Sequence, residues 1–262
     1  MRTNRIGRLT GITVAMLACV LVAHTGSARL VQGFETGDPA LTGSTGDTST
    51  QTSFEGQAPT QGSNQYLLTS LIGTADNDGF TDVSGNPAAT NAVLQSFFNH
   101  QMDSAFVGLR GSAVLIPFTV LAGDTTLSFD YDFLSNQPEQ SSPKNDFALE
   151  GIFTGSGATL SLQGTSTRFA QVTGSTFSLL GAGPFIDHTG YQTFSIDVSG
   201  LAPGTYQLGI ALETLGGGQN QHDSGLLIDN VQITAVPEPT TVAFSFAGAS
   251  LLMALRRRIK KS

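Results

Sequence analysis

Three observations predict an all-β body built from two antiparallel sheets packed face to face. Apolar and polar residues alternate with period two through most of the chain. Gly- and Pro-bearing turns, such as Ala122-Gly123-Asp124 and Ala202-Pro203-Gly204, cut that alternation into short segments. Helical spacing surfaces only once, over residues 88–100, where Ala92, Leu94 (or Val93) and Phe97/Phe98 recur at three-to-four intervals.

The strands follow in order. Residues 65–71 and 113–120 are apolar runs bounded by turn residues. In 125–133, Leu127, Phe129, Tyr131 and Phe133 share one face, and Ser128, Asp130 and Asp132 the other. Residues 146–154 align Phe147, Leu149 and Phe153; 159–163 and 169–172 are shorter. Residues 191–198 align Phe194, Ile196 and Val198, and 205–213 align Tyr206, Leu208, Ile210 and Leu212. The last strand, 226–234, slips phase: Leu226 and Ile228 have one parity, Val231 and Ile233 the other. One buried face then requires a bulge near Asp229-Asn230. The stretch 35–62, rich in Thr, Ser and Gly, reads as edge strands or loops.

Both ends read as membrane-interacting segments outside the body. Arg2, Arg5 and Arg8 precede an apolar run over 12–23, and Gly26-Ser27-Ala28 supplies small residues, which predicts a signal peptide (1–28) cut after Ala28. Leu17-Ala18-Cys19 is lipobox-like, but the apolar run continues past Cys19, which favours ordinary cleavage; the mature chain then has no cysteine. At the other end, Val236-Pro237-Glu238-Pro239 leads into a 16-residue apolar run, 240–255, and a tail of Arg256, Arg257, Arg258, Lys260 and Lys261. The run is below the ~20 residues of a comfortable span, and the cations set a cytoplasmic end. This order of parts resembles the PEP-CTERM sorting signal of bacterial exported proteins. The resemblance implies handling by an exosortase near Pro-Glu-Pro, transient residence in the inner membrane, and delivery to the cell surface or an exopolysaccharide matrix.

What remains, 29–235, is the size of one sandwich domain, with signal and sorting segments (1–28 and 236–262) on either side. It carries four cations (Arg29, Arg110, Lys144, Arg168) against 19 acids, a formal charge of −15, whereas the whole chain is −8. Nucleic-acid binding needs cations to neutralise phosphates, so that class is excluded. Divalent cations and an extracellular habitat are compatible with such a surface.

Gly33-Phe34-Glu35-Thr36-Gly37-Asp38 opens the body, and Leu227-Ile228-Asp229-Asn230-Val231 closes it, with Gly190-Tyr191-Gln192-Thr193-Phe194 between. The opening and closing motifs are similar to those of jelly-roll carbohydrate-binding modules, which implies a jelly-roll-like sandwich whose first and last strands pair, often sharing a structural calcium ion. The chain departs from that pattern in having no tryptophan for sugar stacking. Glu35 and Asp229 are the candidate calcium ligands, since Ca²⁺ takes hard oxygens at ~2.3–2.6 Å. The alternative is a solvated Glu35 and an Asp229 that caps the bulge through backbone N–H groups.

Other chemistry is sparse. Asp76-Asn77-Asp78-Gly79 begins like a calcium loop, but the glycine comes too early for an EF-hand, and a polar turn explains it. Asp130 and Asp132, with Glu139, Asp146 and Glu150 nearby in sequence, could supply paired carboxylates for glycoside hydrolysis, although an exposed acidic strand face looks the same. His100, His188 and His222 lack zinc-ligand spacing. Phe185 and Tyr191 are candidates for a sugar platform or for core packing. No nucleophile elbow or phosphate loop occurs. The expectation is a non-enzymatic exported surface or matrix protein, structural or weakly glycan-binding, with no certain cofactor. The alternatives are a glycan hydrolase or lyase, and a purely structural adhesive protein.

Overall fold

The computed structural model describes residues 27–73, 81–136, 146–173, 175–180, 183–215 and 223–235. The Pro-Glu-Pro motif, the basic tail, most of the signal segment, Cys19, Asp76-Asp78, Glu139 and His222 lie outside these residues. Among the described residues no helix is long and apolar enough to cross a membrane.

In chain order the first strands are β1 (Ala28–Gln32), β2 (Gly43–Thr45), β3 (Asp47–Gln51), β4 (Gln65–Thr69) and β5 (Ala89–Thr90). Helix α1 (Asn91–Phe97) follows, then β6 (Arg110–Val120), β7 (Asp124–Ser135), β8 (Phe147–Thr154), β9 (Ser161–Leu162) and β10 (Thr167–Gln171). The chain closes with β11 (Ser178–Leu179), β12 (Asp187–His188), β13 (Gln192–Asp197), β14 (Gly204–Thr214) and β15 (Ser224–Ala235). They form two almost wholly antiparallel sheets. The first runs β11-β12-β7-β15-β4-β3, with β1 also on β15 and β13 also on β7. The second runs β10-β8-β14-β6-β2, with β5 on β6 and β9 on β8. Residues 28–234 make one compact unit.

The predicted faces meet between the sheets. Leu127, Phe129, Tyr131 and Phe133 of β7 pack with Leu208, Ile210 and Leu212 of β14 and Val114, Ile116 and Phe118 of β6. Burying each such side chain contributes about 1.5–3 kcal/mol, so this layer dominates stability. The phase slip in β15 is present: Leu226, Ile228, Val231 and Ile233 all enter the same core. Asn230 carries the discontinuity at φ 50°. Before it β15 pairs with β4, ending at Ile228↔Tyr66; after it β15 pairs with β1, from Val231↔Gln32 to Thr234↔Ala28. First and last strands are therefore neighbours, as the motif resemblance implied.

The outer face of the second sheet is covered by α1. Leu94 and Phe98 bury against Ala113, Leu115, Phe147, Leu149 and Phe153, while Val93 is exposed, which settles the face. Gly209 makes the approach possible, because a Cβ there would stand 2.6 Å from both Phe98 and Phe153. The helix is shorter than the 88–100 expected, and Asn99 and His100 adopt positive φ just beyond it. On the outer face of the first sheet, Leu67, Leu134, Phe185 and Leu227 form a third apolar cluster with Phe54 packed on it. Phe185 is thus core and not a sugar platform, the second of the two uses its sequence allowed.

Candidate functional site

Glu35 and Asp229 do come to one place, and what they share is a loop. Asp229 Oδ2 accepts the Gln61 N–H at 2.7 Å and lies 3.1 Å from the Thr60 hydroxyl oxygen, and its Oδ1 accepts the Asn230 N–H at 2.7 Å. Glu35 Oε1 accepts the Ser63 and Asn64 backbone N–H groups, and Oε2 accepts Asn64 Nδ2 at 2.9 Å. Asp130 joins them: its Oδ2 lies 2.9 Å from the Thr60 hydroxyl and 3.0 Å from Asn230 Nδ2. Three carboxylates therefore clamp residues 60–64 over the first sheet.

This explains the opening motif physically. Asp38 Oδ2 accepts the Gly33 and Glu35 N–H groups at 2.8 and 3.0 Å, bending the chain after β1, while Phe34 sits at φ 59° with its ring stacked 5.2 Å from Tyr66. A Cβ at Gly33 would meet Gln61 Oε1 at 2.2 Å, so any side chain there would push the Gln61 amide aside. Glu35 is consequently a structural clamp and not a solvated acid, and Asp229 caps the bulge while also holding the loop. The donor set does not fit calcium well. N–H and hydroxyl groups occupy the carboxylate oxygens that a cation would need, and among the described residues no three His, Cys, Asp or Glu gather to hold a metal. Burial raises the Asp229 carboxyl above its usual range, against the Gln61 and Asn230 amides.

Asp132 was expected on an exposed strand face and is fully buried. Its Oδ2 contacts His188 Nδ1 at 2.9 Å and its Oδ1 accepts the Thr189 hydroxyl at 3.2 Å. Burial raises its pKa, with His188 and Thr189 opposing. Tyr191 lies across the same face and donates to Gln65 Oε1. Its phenol is pushed up by burial and then by Asp229, Asp132 and Asp130. Asp130 accepts Thr193, Thr60 and Asn230, and Asp132 accepts His188 and Thr189, so both are committed to internal partners. Asp146 faces away, holding the Thr214 and Ser224 hydroxyls at 2.8 Å each. His100 pairs with Asp103 at 3.0 Å.

A different surface has the features of a ligand platform. The β10 and β13 edges face each other along one side of the sandwich, and there the core is half open. Phe169 lies 5.2 Å from Phe194, 5.2 Å from Phe129 and 5.0 Å from Tyr131. Phe169 and Phe194 are only partly buried, Gln192 is exposed, and the Tyr131 hydroxyl donates to Gln192 Oε1 at 3.0 Å. On the neighbouring strand Glu150 projects from the inner face of β8 and bonds Thr167, with its pKa raised to about 7 by burial. Apolar rings with an adjoining amide and hydroxyl can stack on a sugar face and hydrogen-bond its rim. Sequence reasoning missed Phe169 because the β8–β10 register shifts between Arg168 and Ala170, which moves it off the strand's alternation.

No family model matches the chain, and no curated relative matches it. Among solved structures, the carbohydrate-binding module TmCBM61, solved in complex with beta-1,4-galactotriose, is 12% identical. That match covers 79% of this chain and 99% of that one, with a TM-score of 0.40. A CBM4 structure is 12% identical over 47% of this chain and 61% of that one, with a TM-score of 0.26.

Proposed function

We propose that the protein is an exported, non-catalytic surface or matrix component whose β-sandwich binds glycan weakly along its β10–β13 side. The half-open aromatic pair Phe169 and Phe194, beside Gln192 and Tyr131, carries this reading. The commitment of Asp130 and Asp132 to internal hydrogen bonds favours it over a hydrolase. The two end segments supply the route: a signal peptide cut after Ala28, then exosortase handling at Val236-Pro237-Glu238-Pro239 and release from the inner membrane.

A glycan array probed with residues 29–235 tests the module. Binding to a defined glycan set, weakened about tenfold by Phe194→Ala, is the expected result, since losing one stacked ring is worth about 1.4 kcal/mol. A blank array favours a purely structural, adhesive role. Turnover of any polysaccharide would return the hydrolase reading.

A further inference from the structure

The polypeptide enters and leaves the body at one corner. Ala28, the first residue of β1, is the partner of Thr234 near the end of β15, so entry and exit lie one interstrand spacing apart, about 4.8 Å. The Arg29 guanidinium ties this corner to the β6–β7 turn, donating to Asp124 Oδ2 at 3.0 Å and to the Thr119 carbonyl at 2.9 Å. The Thr125 hydroxyl donates to the Thr234 carbonyl, and the Leu121 N–H to Asp124 Oδ2.

Apolar surface stands open at the same corner. Leu30 is 43% exposed and Leu121 52%. A cleft of about 210 Å³ adjoins Leu30, lined by Arg29, Leu30, Pro39, Pro117, Phe118 and Thr119. The spacers between the body and the two apolar runs are short. Four residues, 24–27, separate β1 from the apolar run 12–23, and four, 236–239, separate β15 from the run 240–255. Neither spacer can extend beyond roughly 14 Å.

Resting on the reading of both ends as membrane-inserting, we infer that this corner, with Leu30, Leu121 and the cleft, is a membrane-facing surface whose partner is the lipid bilayer holding the chain's own ends. In the full-length chain, before the cut after Ala28, two short tethers leaving adjacent points keep the corner within about 14 Å of the lipid, close enough for exposed leucines to enter the headgroup layer; after that cut the four-residue C-terminal spacer alone holds it there. A body of charge −15 is repelled by anionic lipid, so the contact depends on tethering, which raises effective concentration to the millimolar range. Untethered, the body has no affinity for the same membrane.

Leu109 provides an internal reference. It is 53% exposed, as Leu121 is, but sits just before β6, whose 11 residues place the two roughly 36 Å apart. The test uses the full chain with Cys19→Ser and either Leu121→Cys or Leu109→Cys, labelled with a polarity-sensitive dye. Leu30→Cys serves as a second corner position. The protein is reconstituted in phosphatidylethanolamine–phosphatidylglycerol vesicles carrying a lipid-borne quencher. The expected result is several-fold stronger quenching at 121 and 30 than at 109, and none at any position when labelled 29–235 is mixed with the same vesicles. Equal quenching at both ends of β6, or no quenching at 121 in protein that floats with the vesicles, overturns the docking and leaves the tethers standing. Failure of the full chain to float overturns both.

Discussion

Glu150 and Glu213 are acids placed where acids are costly. Glu150, 4% exposed, lies on the inner face of β8, and Glu213 is fully buried with Oε2 accepting the Val107 and Gly108 N–H groups. Burial pushes both to about 7, against the Thr167 bond to Glu150 and the Gly108 and Val107 bonds to Glu213. Between the ordinary value of 4.5 and about 7, the folded chain keeps protons that the unfolded chain has released. The stability these groups contribute is full below pH ~4.5 and declines until the pH has passed ~7. Thermal melts of residues 29–235 should fall between pH 5 and 8. Glu150→Gln should be the more stable form at pH 8, by about 2–3 kcal/mol. A parent and a Glu150→Gln variant with parallel pH profiles would contradict this. At the loop clamp, Asp229→Ala strands the Gln61 and Asn230 N–H groups and should cost about 1–3 kcal/mol. Calcium should leave the parent's melting temperature unchanged after metal stripping, because its would-be ligands already hold donors; a rise would reinstate the ion.

At the scale of elements, strand position and inward face were readable from alternation, because each strand buries one face whatever its partner. The bulge was readable for the same reason. Leu226 and Val231 can share a core only if one residue between them is left over, and Asn230 tolerates the left-handed backbone that results. Asn230→Gly should be nearly neutral, whereas Asn230→Val should cost about 1–2 kcal/mol or more, read from denaturant midpoints. Other features had no local signal. β11 and β12 are two residues each and exist only through pairing with β7 and each other. Alternation placed Asp132 on the outer face correctly, but nothing near it in sequence said that His188 and Thr189 would cover it from 56 and 57 residues away. The Glu35–Asp229 proximity was anticipated; the 60–64 loop between them was not, since Thr, Gln, Gly, Ser and Asn there carry no periodicity.

For the whole molecule, charge and architecture separate cleanly by segment. Eight of the 12 cations occur in 1–28 and 236–262, and the compact unit holds nearly all the acids. Processing at both ends should therefore change net charge from −8 towards −15 and lower the pI. Intact-mass measurement of the released protein should show loss of residues 1–28 and of the basic tail. Replacing Pro237, Glu238 and Pro239 by alanine should leave unprocessed chain in the membrane fraction; unchanged release would rule out exosortase handling.

Because β1 and β15 lie side by side, where the polypeptide begins is a matter of delivery more than of architecture. A circular permutant that joins 29 to 235 through a few glycines, and opens the Ser199–Gly204 turn instead, should retain the same sheets, since the new bond spans little more than a ladder spacing. Such a molecule would fold while having surrendered both address segments.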